Sequence, residues 1–257
     1  PLRNLPAPTK PGLAAAMVPI GHSKAAPDYC PGATGSKAPA ETQTRECDVG
    51  GNGAEYTNRS WILKPGLYPA GLKVSNGATA YLMPGIYWIG GGGLDVGGGG
   101  SIITIATAAD ATPLPSSSPC ATATTTAGLC GGVMFYNSKL PTKAGGPVIL
   151  NSSGATMKLA SLDVAPTDPD RIYQNMVFFQ DRTLTTSITL NGSSSTTVVE
   201  GIIYVPNGQV KLNGNGGTLI VDQVIASTFD INGNGGTIKV LRGTGVDAVI
   251  VAAGLVD

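Results

Sequence analysis

The chain has 257 residues, with 16 basic and 16 acidic side chains and a calculated pI of about 7.0. This balance argues against nucleic-acid binding and against polybasic membrane binding, because both need a basic patch. Apolar residues make up 42% of the chain beside 37 glycines and 19 prolines, so we expect the glycines in turns of a packed fold.

The two ends of the chain differ in character from the middle. Residues 1–60 are rich in proline and polar residues and are predicted to form an irregular cap or wrap. The sequence begins with proline and has no recognisable signal peptide, so we expect a processed chain or a fragment. Residues 246–256 are apolar but too few to span a bilayer. We expect this stretch to cover the last repeat or to present it to a partner.

Short phrases recur between residues 61 and 257. PGLY at 65–68 returns as PGIY at 84–87, which is 19 positions later, and NGNGGT at 213–218 returns unchanged at 232, again after 19. The phrase LNGS at 190 aligns with LNGN at 212, a spacing of 22. Self-similarity at such a period is typical of a solenoid, in which each repeat is one supersecondary unit.

Within each repeat the apolar residues alternate with polar ones, as in half-buried strands. The sequence therefore predicts an all-β, single-stranded parallel β-helix with rungs of 19–22 residues. Asn-Gly turns at a fixed offset would stack, so Asn191, Asn213 and Asn232 are predicted to form a ladder of side-chain amides. The alternative is that each Asn-Gly closes a β-hairpin.

The four cysteines are Cys30, Cys47, Cys120 and Cys130. They form no CxxC pair, which argues against a zinc site. Their spacing favours Cys30–Cys47 and Cys120–Cys130 among three possible pairings, and hence an oxidising compartment; four free thiols of a cytosolic protein are the alternative. Residues 106–131 are predicted to be a lateral loop inserted in one rung and closed by the second disulfide.

Some polysaccharide lyases and glycosidases are parallel β-helices, and their chemistry uses carboxylates as acids, bases or nucleophiles. The carboxylates of this chain are therefore candidate catalytic groups. The best cluster is Asp181 with Arg182 near Glu200, because an offset of one rung would bring positions 181 and 200 together. The alternative is an ordinary ion pair between rungs. The only histidine, His22, lies in the proline-rich leader, which argues against a Ser-His-Asp triad. No metal or cofactor site is predicted.

Four aromatic residues are candidate binding residues: Tyr68, Tyr87, Trp88 and Tyr204. Tyr68 and Tyr87 occupy the same position in successive repeats and are predicted to stack. An exposed file of rings would suit sugar rings or a protein partner. The alternative is an aromatic stack inside the column.

Several phrases resemble the C-terminal region of TadG-like proteins, which are associated with bacterial Tad (Flp) pilus assembly. They are LKPGLY at 63–68, MPGIY at 83–87, VFFQDR at 177–182 and GIIYVPN at 201–207. The resemblance covers roughly residues 61–240 as separate motifs. It implies a β-rich, outward-facing domain at the cell surface, and it supplies no catalytic residues.

The leading functional hypothesis is a non-enzymatic extracellular structural or adhesive module of the bacterial surface. Its partners would be other surface or pilus proteins, a glycan, or a second copy bound through the end strands. The alternative is a carbohydrate-active β-helix enzyme, and a self-assembling surface subunit is a third hypothesis. Residues 1–60 would form the cap and residues 61–257 the helix.

Overall fold

A computed structural model describes residues 4–33, 40–51, 56, 58–105, 132–151, 154–192, 197–215, 218–234 and 237–240. Within these ranges the chain forms strands and one short 3-10 helix, Pro169–Tyr173, and has no α-helix. The expectation of an all-β protein is confirmed.

In the part of the chain that the structure describes, seventeen strands belong to one sheet. In chain order they are β1 (Val18–Ile20), β2 (Cys47–Asp48), β3 (Ser60–Leu63), β4 (Gly66–Tyr68), β5 (Leu72–Val74), β6 (Thr79–Leu82), β7 (Gly85–Ile89), β8 (Leu94–Val96), β9 (Ser101–Thr104), β10 (Val133–Asn137), β11 (Val148–Asn151), β12 (Met157–Leu159), β13 (Met176–Gln180), β14 (Ile188–Gly192), β15 (Thr197–Asn215), β16 (Thr218–Asn234) and β17 (Thr237–Val240).

From β3 to β14, each strand pairs in parallel with the strand three places further along the chain. The three series are β3–β6–β9–β12, β4–β7–β10–β13 and β5–β8–β11–β14. The long strand β15 then pairs in turn with β12, β13 and β14, and β16 lies parallel to β15. Strands that are three places apart in the chain are therefore neighbours in the sheet, at a spacing of about 4.8 Å.

The sheet is mixed, because β1 pairs with β3 in the antiparallel sense. The expectation of purely parallel pairing is wrong at this N-terminal edge. Residues 18–20 approach the first parallel strand from the opposite direction and occupy its free backbone groups, which is one way in which proteins protect an edge strand.

The pairing register contains the predicted spacings. Trp61 lies opposite Ala80 and Asn213 opposite Asn232, both at the spacing of 19, whereas Leu72 lies opposite Leu94, at the spacing of 22. The two PG-x-Y phrases are not in the register that their sequence alignment implies, since Gly66 pairs with Tyr87 and not with Gly85. Both glycines have a φ near +130°, which residues with a side chain rarely adopt, so the phrase marks a strand entrance.

The described part of residues 1–60 contains regular elements. It contributes β1, β2 and a disulfide between Cys30 and Cys47, which are 17 residues apart. The predicted pair Cys120–Cys130, the lateral loop 106–131 and the apolar segment 246–256 lie outside the described residues.

Candidate functional site

A stack of aromatic rings runs through the interior of the sheet. The centroids are 5.9 Å apart from Tyr68 to Tyr87, 5.3 Å from Tyr87 to Phe135 and 5.4 Å from Phe135 to Phe178. All four residues are no more than 1% exposed. Burial raises the pKa of both tyrosine hydroxyls. The Tyr68 hydroxyl donates to the main-chain oxygen of Lys64, and the Tyr87 hydroxyl shares its hydrogen between the main-chain oxygens of Leu63 and Met83. The predicted stacking of the two tyrosines is found, inside the fold.

A second file of rings lies on the opposite face of the same strands. Register partners run from Leu67 to Trp88, Tyr136, Phe179 and Tyr204 on successive strands β4, β7, β10, β13 and β15. Neighbouring ring centroids are 4.5, 5.1 and 5.3 Å apart in T-shaped contacts. We call Trp88, Tyr136, Phe179 and Tyr204 the outer aromatic file. Trp88 and Tyr204 were predicted binding residues, and each is 8% exposed or less.

Strands β10 and β13 differ from other strands of the sheet because both of their faces are covered. Every residue of β10 (VMFYN) and β13 (MVFFQ) is buried, whereas β5, β8 and β12 alternate between buried and half-buried residues. A continuous apolar run is typical of a strand packed on both faces. The outer side is covered by a separate hydrophobic cluster that includes Leu162, Val164 and Tyr173, with Leu5 packed against it.

Residues 4–17 have a regular burial pattern, in which Leu5 packs against the outer cluster whereas Ala14 and Met17 belong to the inner core cluster. Within residues 4–17, the buried or half-buried positions are every third residue, and all the others are exposed. They are Leu5, Pro8, Pro11, Ala14 and Met17. Three residues per turn is the period of a polyproline II helix, which leaves its backbone free to bond with a neighbour. We call residues 4–17 the strap.

The hydrogen bonds that fix the strap come from the sheet and from the 3-10 helix. The Arg182 Nη1 donates to the Leu5 carbonyl oxygen at 2.7 Å, and the Tyr173 hydroxyl donates to the Pro6 oxygen at 3.1 Å. Further along, the Leu67 N–H donates to the Gly12 oxygen at 2.9 Å, and the Ala14 N–H donates to the Leu67 oxygen at 3.1 Å. The strap is therefore bonded to Arg182 and Tyr173 near its start and to Leu67 further along.

The carboxylate of Asp181 is saturated by donors from the scaffold. Its Oδ1 accepts from the N–H and the hydroxyl of Thr183, both at 2.8 Å, and its Oδ2 accepts from Tyr136 at 2.7 Å and Ser138 at 3.3 Å. Burial alone would raise the pKa of Asp181, but these hydrogen bonds outweigh it and lower the pKa. Such a carboxylate is a poor proton acceptor near neutral pH.

The expected meeting of Asp181 and Glu200 does not occur in this register. Phe179 pairs with Tyr204, so Asp181 lies beyond that pair and Glu200 before it. Arg182 instead binds the strap and lies near the rings of Phe179 and Tyr204, with its guanidinium carbon 5.9 and 5.7 Å from their centroids.

The other residues of the VFFQDR phrase also have structural partners. Gln180 is fully buried opposite Asn137, whose side-chain Nδ2 donates to it at 3.2 Å, and the Gln180 Nε2 donates to the Thr186 oxygen at 2.8 Å. The pair bonds the Asn137 Nδ2 and the Gln180 amide, whereas the Asn137 Oδ1 is buried with no hydrogen-bond partner among the described residues.

The predicted asparagine ladder is in register. Asn191 lies opposite Asn213, and Asn213 opposite Asn232. The Asn213 Nδ2 donates to the Asn191 Oδ1 at 2.6 Å, whereas the Asn232 Nδ2 donates to Asp230 at 3.0 Å. Asn151 precedes the set and lies opposite Asn191, so the row of asparagines begins one strand earlier than the predicted ladder.

A polar cavity that the sequence did not indicate lies beside the disulfide. It has a volume of about 430 Å³ and is lined by Tyr29, Arg45, Glu46 and Asp48, among others. Burial, with Asp48 and Asp95 nearby, raises the pKa of Glu46 although Lys73 opposes the shift. Asp48 is held by Ser75, which donates at 3.1 Å, and the Arg45 guanidinium lies 4.7 Å from the Tyr29 ring centroid. Tyr29 has a φ of 62°, a strained value for a bulky residue.

In the described ranges no group of three or more His, Cys, Asp or Glu side chains is arranged to hold a metal ion. None of the helical segments there is long and apolar enough to cross a membrane. Comparison with protein-family models, with curated proteins and with solved structures gives no significant match.

Proposed function

We propose that the chain is a single-stranded parallel β-helix that serves as a non-enzymatic structural or adhesive module outside the bacterial cell. The pairing of every third strand in parallel, with register partners at sequence spacings of 19 and 22, supports the helical interpretation. The Cys30–Cys47 disulfide supports an oxidising, extracellular environment. The resemblance to TadG-like proteins supports a role beside other surface or pilus proteins.

The observation that supports a non-enzymatic role most directly is the bonding of Asp181 and Arg182. Four donors occupy the two oxygens of Asp181, and Arg182 is bound to the strap. A general acid or base needs a pKa near the working pH and a proton path to the substrate. The lowered pKa of Asp181 does not meet the first condition.

The test is incubation of the purified chain with a panel of uronate-containing polymers and neutral glycans. Released reducing ends and the ultraviolet absorbance of unsaturated uronides would be measured. We expect no cleavage, together with retention of the chain on one or more immobilised glycans or on bacterial envelope preparations. Cleavage that is abolished by Asp181→Asn, in a variant with an unchanged circular dichroism spectrum, would contradict the proposal.

The alternative of a carbohydrate-active enzyme is favoured by one observation, the cavity beside the disulfide. Glu46 and Asp48 are two residues apart and therefore lie about 7 Å apart if the chain is extended there. A carboxyl group with a raised pKa next to a second carboxylate is the arrangement that glycoside hydrolysis uses. If the panel is cleaved, Glu46→Gln and Asp48→Asn would decide whether this cavity is responsible, with the exposed Glu41→Gln as the matched control.

A further inference from the structure

We propose that Asn232 is a site of spontaneous modification, at which the backbone nitrogen of Gly233 displaces the side-chain amide and converts the asparagine to aspartate or isoaspartate. The described residues contain five complete Asn-Gly pairs, whose asparagines are Asn76, Asn191, Asn207, Asn213 and Asn232. The fold leaves the last pair open to this reaction and protects the others. The inference adds a chemical property to the structural role and does not depend on where the protein is located.

The reaction consumes water and no other reagent. The Gly233 nitrogen forms a bond to the Asn232 Cγ, the bond from that carbon to the amide nitrogen breaks, and ammonia leaves with the proton that the glycine nitrogen gives up. Water then opens the cyclic imide at either of its carbonyl carbons. One product is aspartate, and the other is isoaspartate, in which the main chain runs through the side-chain carbon. A following glycine favours the attack because it has no Cβ and rotates freely.

The first support is that the attacking N–H lies on the free side of the last strand of its series. The N–H of Val148 in β11 donates towards β14, to the Ser187 oxygen, and every second residue of such a strand points its N–H the same way. Gly192, Gly214 and Gly233 are register partners on β14, β15 and β16, four residues beyond the partners of Val148. The N–H groups of Gly192 and Gly214 therefore face a paired strand. That of Gly233 faces a side of β16 where no described residue pairs with it, since β17 pairs only with residues 218–221.

The second support is the bonding of the asparagine side chains. The Asn213 Nδ2 donates to the Asn191 Oδ1 on the neighbouring strand, and both residues are half-buried. Asn232 is exposed, and its Nδ2 donates to Asp230 of its own strand. A side chain bonded to another strand cannot turn towards its own backbone without losing that bond. Asn232 is not tied to its neighbouring strand in this way.

The two remaining pairs are held by other parts of the fold. At Asn76, both the side-chain Nδ2 and the N–H of the following Gly77 donate to main-chain oxygens elsewhere in the chain. The Asn207 Nδ2 donates to the main-chain oxygen of Arg182. In both pairs the attack requires that these hydrogen bonds break first.

Asn213 and Asn232 form a matched comparison within one chain. The six letters NGNGGT are identical at residues 213–218 and 232–237, so the intrinsic reactivity of the local sequence is the same at both asparagines. A difference in rate between them therefore reports the fold.

The modification changes the free side of the sheet. It replaces a neutral amide by a carboxylate, and Asp230 lies two residues away on the same face of β16. The hydrogen bond between these residues then becomes a repulsion between like charges. Isoaspartate also adds an atom to the main chain and shifts the residues that follow it out of register. The modification therefore loosens the end of β16.

The experiment incubates the purified full chain in mildly alkaline buffer, with and without urea. Products are mapped by peptide mass spectrometry and by labelling with an isoaspartate-specific methyltransferase. In the folded chain, conversion at Asn232 should be at least about tenfold faster than at Asn213, since a difference of about 1.4 kcal/mol in the free energy of local opening gives that ratio. In urea the two rates should be nearly equal. Gly233→Ala should slow conversion at Asn232 and leave the rate at Asn213 unchanged.

Three outcomes would overturn the proposal. Equal rates at Asn213 and Asn232 in the folded chain would show that the fold does not distinguish the two copies. Conversion of Asn232 in urea alone would show that the end of β16 is covered in solution. A difference that persists in urea would trace the selectivity to the preceding residue, which is Leu212 in one copy and Ile231 in the other.

Discussion

Two register partners on the paired strands β15 and β16 offer a matched test of burial. Leu212 in β15 and Ile231 in β16 are register partners. Leu212 is 0% exposed, whereas Ile231 is 56% exposed because the described residues place nothing over it. Truncating a buried leucine to alanine typically costs about 2–5 kcal/mol. Truncating a side chain that is more than half exposed should cost about 1 kcal/mol or less.

The assay is urea unfolding of Leu212→Ala and Ile231→Ala, followed by the fluorescence of the buried Trp61 and Trp88. The difference in unfolding free energy between the variants should be at least about 1 kcal/mol. Equal losses would refute the reasoning and would mean that another segment or another copy covers Ile231 in solution. A dependence of the Ile231→Ala loss on protein concentration would then identify a second copy.

Three further predictions concern the charged groups and the disulfide. Asp181→Asn should lose about 1 kcal/mol of stability at pH 7. Because the folded pKa of Asp181 is lowered, its contribution to stability is complete above the unfolded pKa of about 4 and is lost as the pH falls through the folded pKa. Urea titrations at several pH values should therefore show that the difference in unfolding free energy between Asp181→Asn and the wild type shrinks below a pH of about 4. The pKa of Glu46 is raised, so its contribution to stability is present at low pH and is lost as the pH rises through the folded pKa. Glu46→Gln should therefore raise the unfolding free energy at pH 7 relative to the wild type and leave it nearly unchanged at about pH 3. A lower unfolding free energy at pH 7 would contradict this prediction. Replacing Cys30 and Cys47 by alanine should lower the unfolding free energy by about 3 kcal/mol, the value for a loop of this length, as measured by calorimetry or urea unfolding. A change below about 1 kcal/mol would show that other contacts hold the N-terminal residues in place.

Several features of the fold could be predicted from the sequence because they repeat over short distances. The spacing of 19 between the two Asn-Gly phrases is the spacing at which Asn213 and Asn232 pair. The two copies of the phrase lie side by side on paired strands, so a turn that suits one copy suits the other, and the spacing appears directly in the sequence. The pairing of Cys30 with Cys47 followed from their proximity for the same reason.

The register within a repeat was harder to predict. In the sequence the two PG-x-Y phrases align glycine with glycine, but in the sheet Gly66 pairs with Tyr87. Local backbone geometry determines that a glycine stands at each strand entrance, whereas the packing of the whole sheet determines the register. The expected contact between Asp181 and Glu200 failed in the same way, since β13 and β15 pair with a longer offset than one predicted rung, as between Phe178 and Ile203.

The sequence by itself determined the β-structure, the spacings of 19 and 22 at which several residues pair, and the alternation that places Tyr87 and Trp88 on opposite faces. Only the tertiary structure decided which of those faces is covered, and by what. The strap reaches the outer aromatic file through hydrogen bonds from Tyr173 and Arg182 to residues 167 and 177 positions away. Contacts over such distances leave no period in the chain, because they depend on how the complete sheet presents its outer surface to the leader.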